Sequence, residues 1–252
     1  MEYEKELLNT LQELENKINV YIEKNKHYEE IFKQKEKNIN IKAFKIFDSI
    51  NEFKNFCKEL YNVESWKITD NCYEERANIL KKHLYWEQLK EEFNSKKLLN
   101  KNITNSQLVS FFDTLNLMYF TLNKIEEDVL KNEIKIIMEY VIPDMTKERV
   151  DYVICFRDNL LFIEFSNAID YKNIKQVHKN KIEQVNQYQK NAEKYLPKNI
   201  EITTHAFIYL TENTDEKLEH NILECKNTAK IITNLIKKAS LNSFEELNKL
   251  KY

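Results

Sequence analysis

Between Ile137 and Ser166 three short runs of β-branched and aromatic residues follow one another, and each carries an acid inside it. Glu139 lies in the first, Asp151 in Arg149-Val-Asp-Tyr-Val-Ile-Cys155, and Glu164 in Asn159-Leu-Leu-Phe-Ile-Glu-Phe-Ser166. Turn-forming Pro143-Asp144 and Arg157-Asp158-Asn159 separate the runs, which predicts three consecutive strands. A carboxylate inside a buried strand is costly unless it is paired or holds a cation. Three in succession constrain both the fold and its purpose.

The flanking periodicities place these strands in an α/β domain. Thr104-Asn105 predicts a helix start, and Leu108, Phe111, Phe112, Leu115, Leu117, Met118 and Phe120 make that helix apolar nearly all round, hence buried. After the strands, residues 172–195 read as a helix on which Val177, Lys181, Gln184 and Tyr188 are neighbours by steps of three and four. Residues 199–210 alternate apolar and polar as a further strand, and a last helix is expected over 215–239. The order is that of an antiparallel meander followed by a helical crossover.

The beginning of the chain follows a different rule. Leu7, Leu11, Leu14, Ile18, Tyr21, Tyr28 and Phe32 keep a heptad seam, and Ile46, Ile50, Phe53, Cys57 and Leu60 continue it after a short link. The economical arrangement is an antiparallel, coiled-coil-like helical hairpin, serving as a packed subdomain or as an arm for homodimerisation or a protein partner. Another helical pattern runs over 70–97, and the polar, aperiodic stretch from Ser95 to Asn105 suggests the boundary. Residues 1–103 are thus expected to be a helical region and 104–252 the α/β domain.

Composition narrows the classes. A net charge of −2 excludes a generally basic nucleic-acid binder while allowing a local basic groove. There is no glycine, so Asn and Asp are expected at left-handed turn positions. Cys57, Cys72, Cys155 and Cys225 lack zinc-ligand spacing and read as structural thiols. With no signal peptide or bilayer-length apolar run, the expectation is a cytoplasmic protein without a membrane partner.

The run of Asp151, Glu164, Gln184 and Tyr188 resembles the PD-(D/E)XK nuclease superfamily, in particular its RecB-type branch with a Gln-x-x-x-Tyr motif. The resemblance covers roughly Ile134 to Asn213. It implies a restriction-endonuclease-like mixed sheet flanked by helices, with Asp151, Glu164 and the Phe165 carbonyl holding Mg2+ or Mn2+ for hydrolysis of DNA or RNA. Gln184 and Tyr188 would position the nucleic acid and the site. Ser166 stands where the family has its lysine and cannot supply that positive charge. Either a helix lysine reaches in (Lys172, Lys175 or Lys181, with Lys181 nearest Gln184 by helical phase), or the site is slow or silent. The sequence alone favours the second outcome.

The family's additional acid has no clear counterpart; Glu75, Gln107, Asp113, Glu126 and Glu127 are the candidates. Asp170 is read as a third acid near the metal or as a helix cap, and Glu139 as a structural partner of Arg149. His178 and His205 stand alone and read as structural. The alternative function is a catalytically inactive protein on the same fold that binds nucleic acid or a protein, as an inhibitor or a phage or defence-system component would.

Overall fold

A computed structural model describes residues 42–61, 77–78, 80–82, 84–96, 102–125, 134–143, 148–211 and 215–249. The heptad seam from Leu7 to Phe32 lies outside the described residues, as do Glu75, Glu126 and Glu127. Residues from Lys42 to Tyr252 form one compact unit, so the expected edge at 103/104 does not coincide with an edge of this unit.

The centre is a five-stranded sheet in the order β1 (Lys45–Phe47), β2 (Lys135–Val141), β3 (Arg149–Phe156), β4 (Asn159–Ala168) and β5 (Glu201–Leu210). The first four strands pair antiparallel, and β5 joins β4 in parallel. That change of direction requires a crossover, supplied by helix α4 (Tyr171–Ala192). The other helices are α1 (Ile50–Tyr61), α2 (Leu84–Ser95), α3 (Asn105–Leu122) and α5 (Asp215–Lys249).

Local chemistry sets the helix starts. Thr104 caps α3 in a capping box: its side chain accepts the Gln107 N–H, and the Gln107 side chain accepts the Thr104 N–H. Asp170 caps α4, accepting the Asn173 N–H at 3.1 Å. At α1, Ser49 Oγ accepts the Glu52 N–H at 3.1 Å, and Glu52 reaches back to the Asp48 N–H at 2.8 Å. This cap corrects the heptad reading of residues 46–60. Ile46 is on β1 rather than on a helix, and the helix begins only at Ile50.

One face of the sheet carries the main core. Tyr152, Ile154, Phe156, Leu161, Ile163, Phe165, Phe207 and Tyr209 meet Phe53 of α1, Trp86 and Phe93 of α2, Phe111 and Met118 of α3, and Ile232 of α5. On the other face α4 lays Ile174, Val177 and Ile182 over Ala168 of β4 and Ala206, Ile208 and Leu210 of β5. Side chains alternate between faces along a strand, so Asp151 and Glu164 lie on the α4 side.

Beyond the pairing with β4, the C-terminal end of β5 is met by side chains of α5. Asn221 accepts the Leu210 N–H at 2.9 Å and donates to the Leu210 carbonyl at 3.2 Å. His220 Nε2–H donates to the Ile208 carbonyl at 2.8 Å, and Lys217 to the Thr211 carbonyl at 3.2 Å.

Candidate metal centre

Register brings the three acids into one row. The pairs Met138↔Tyr152 and Tyr140↔Val150 bracket Glu139 opposite Asp151, and continuation of Tyr152↔Ile163 puts Asp151 opposite Glu164. Neighbouring Cα atoms in such a row are about 4.5–5.5 Å apart. The two central acids are tied to each other's backbone. The Asp151 N–H donates to Glu164 Oε1 at 3.0 Å, and the Phe165 N–H to Asp151 Oδ2 at 2.8 Å.

Helix α4 supplies the cation. Lys181 Nζ donates to Glu164 Oε2 at 2.9 Å and to Gln184 Oε1 at 3.1 Å. Gln184 in turn donates through Nε2 to the Tyr188 hydroxyl. Lys181, Gln184 and Tyr188 are therefore one chain of contacts anchored on Glu164, produced by the three- and four-residue steps of the helix. Ser166 is two residues beyond Glu164 on β4, half-buried and on the same side of the sheet by alternation.

Glu139 is held by Arg149, whose Nε lies 3.0 Å from Glu139 Oε2. The contact is an ion pair without an aligned N–H···O bond: Glu139 Oε2 and Arg149 Nη1 are buried and find no hydrogen-bond partner among the described residues. Glu148 Oε2 is in the same condition. Glu139 also has a left-handed backbone, with φ of 54°, a conformation that costs a non-glycine residue about 1–3 kcal/mol. Its effect is a change of phase in β2. Ile136 and Met138 face the main core, the Tyr140 ring packs 6.2 Å from Phe162, and Val141 returns to the core. The left-handed positions among the described residues are Glu139 and Arg157 rather than the expected Asn and Asp.

The electrostatics follow from burial. Glu164, 2% exposed, is pushed up to about 8 by loss of hydration and then by Asp151 beside it, against the pull of Lys181. Glu139 is pushed up to about 7 by burial, which Arg149 only partly offsets. Asp151 keeps some exposure, but its carboxyl is crowded by protein and dehydration raises it too, against Lys181 and the Phe165 N–H. Burial alone would lower Lys181; Glu164 and Asp151 outweigh it, and its affinity for the proton rises. Burial raises the Tyr188 hydroxyl. Among the described residues Glu139, Asp151 and Glu164 meet two basic side chains, Arg149 and Lys181, with Glu148 a further acid near Tyr188. Such a site is short of positive charge and satisfies the deficit with protons or with a metal cation.

No family model, no curated protein and no solved structure matches the chain.

The remaining candidates fall elsewhere. Gln107 is engaged in the α3 cap, and Asp113 is buried on α3, which covers the opposite face of the sheet. Asp170 serves α4 as its cap. His205 Nε2 is 2.8 Å from Thr228 Oγ1, and burial lowers its ring to about 4. Among the described residues no three His, Cys, Asp or Glu side chains converge as a finished metal cage. What the geometry offers is two tethered carboxylates, a backbone carbonyl next to them and a lysine. This hard-oxygen donor set suits Mg2+ or Mn2+ if water or substrate completes the shell.

Proposed function

We propose that the chain is a metal-dependent nuclease of the RecB-type PD-(D/E)XK kind, on a restriction-endonuclease-like fold, hydrolysing phosphodiester bonds of DNA or RNA. The observation that carries this reading is Lys181 Nζ on Glu164 Oε2 at 2.9 Å. A positive charge stands beside the second acid even though Ser166 replaces the motif lysine, so the helix supplies what the strand lacks.

Asp151, Glu164 and the Phe165 carbonyl would hold Mg2+ or Mn2+. Bound there, the cation neutralises phosphate charge and makes a bound water more acidic. The protein's own groups do the rest. Two of the three N–H donors of Lys181 are engaged by Glu164 and Gln184; the third can orient the attacking water or a phosphate oxygen. Gln184 and Tyr188 fix the lysine's position, and pre-organised charge of this kind supplies much of the rate enhancement in many enzymes. Exposed Lys172, Lys175 and Lys179 on α4 provide local positive charge for a nucleic-acid backbone.

The test is Mn2+ titration by calorimetry together with cleavage of labelled DNA and RNA in Mg2+ or Mn2+. The wild type should bind the cation and cut, whereas Asp151→Ala and Glu164→Ala should remain folded and do neither. Cleavage by both variants at the wild-type rate would place the activity elsewhere. Ser166 in the place of the motif lysine favours a second reading, a catalytically inactive protein of this fold that binds nucleic acid or a protein. A wild type that takes no cation and cuts neither polymer selects it.

A further inference from the structure

We propose that Arg149 grips a phosphate of the substrate backbone and that Glu139 positions its guanidinium; the inference rests on the nuclease reading and adds a substrate contact to it. Arg149 and Asp151 are two residues apart on β3, hence on the same face, with Cα atoms about 6.7 Å apart. Among the described residues the side chain has one ion pair: Nε faces Glu139 Oε2 at 3.0 Å. Nη1 is buried and finds no partner among the described residues.

A buried guanidinium N–H without an acceptor is costly, and native proteins retain such groups where a ligand completes them. An arginine presents five donors in a planar fork that matches phosphate oxygens two at a time. Fixing Nε against an acid orients the remaining donors before a substrate arrives. Glu139 falls between the paired positions Met138↔Tyr152 and Tyr140↔Val150, alongside Asp151, so an anion taken by Arg149 lies next to the carboxylates that would hold the cation. The left-handed backbone at Glu139 is a second local cost, and strain of this kind collects at ligand sites.

The experiment uses the full chain and labelled 20-nucleotide oligo-thymidine and oligo-uridine, in Ca2+, across a salt series. Arg149→Gln should weaken binding about tenfold to hundredfold and flatten the slope of log affinity against log salt by roughly 0.7, one phosphate's share on a single strand. Mn2+ affinity of that variant should stay within about twofold. Arg149→Lys should keep the slope and lose the affinity, because charge survives and the fork does not. Glu139→Gln should keep the slope and weaken binding a few-fold, with Arg149 charged but less well held. Arg149→Gln binding with wild-type affinity and slope overturns the proposal while leaving the nuclease reading intact. Loss of Mn2+ together with the oligonucleotide makes Arg149 merely structural and also overturns it. A wild type that binds neither oligonucleotide nor Mn2+ overturns both.

Discussion

Lys181→Met removes the one charge that α4 places on Glu164, and the structure allows both of its effects to be sized. Glu164 is 2% exposed and receives Lys181 Nζ at 2.9 Å. Removing one partner of a buried ion pair ordinarily costs about 3–5 kcal/mol, because a bare charge is left behind. Here Glu164 is already raised to about 8 with the lysine present, so without it the carboxyl keeps a proton at pH 7. The stability cost then falls to that of one charge-assisted hydrogen bond, about 1.5–3 kcal/mol. The proposed nuclease activity would have no such escape: a pre-organised charge is worth about a hundred- to thousandfold in rate. Urea melts and initial rates of oligonucleotide cleavage in Mg2+ should therefore separate, with a modest loss in the first and a large one in the second.

Ser166→Lys completes the test. On wild type it adds a cation beside a place Lys181 already fills, so no gain is expected; in the Lys181→Met background it should recover part of the rate. The contact between Lys181 and Glu164 supports the outcome that the sequence alone did not favour. Cleavage by Lys181→Met at the wild-type rate, or a faster Ser166→Lys single variant, would refute this account of the missing lysine.

The metal-free protein should lose stability as pH rises from about 5 to 8, by several kcal/mol. Glu139 and Glu164 are raised from 4.5 to about 7 and about 8, so the folded state binds more protons than the unfolded chain in that window. Saturating Mg2+ should flatten the profile by taking the protons' place; a metal-free profile that rises with pH contradicts the assigned charges. Asn221→Ala strips both backbone groups of Leu210 of their side-chain partner. About 1–3 kcal/mol should be lost in chemical denaturation, with no change in Mn2+ affinity, and an unchanged midpoint would mean that water replaces the amide.

The candidate site was legible because its chemistry conflicts with its setting. Asp151 and Glu164 stand in runs too apolar for them, and a helix phase of three and four links Lys181 to Gln184 and Tyr188. Strand β1 was hidden for the opposite reason. Ile46 continues a heptad series through Ile50, Phe53 and Cys57, and three residues are too few to display alternation. The capping signal Ser49-x-x-Glu52 was the available cue, since it starts the helix after the strand rather than before it. The left-handed turn at Glu139 had no cue at all, because the residue that usually announces such a backbone is absent from the chain.

The clasp of α5 on β5 has a consequence for assembly. A sheet offers growth points at its two outer strands, where a passing β-segment can add itself by backbone pairing. At one margin Asn221 and His220 occupy the acceptor and donor places that an incoming strand would need. At the other margin β1 is three residues long, too brief to template a lasting partner. Among the described residues, the C-terminal end of β5 and the brevity of β1 thereby leave little backbone on which an incoming strand could pair.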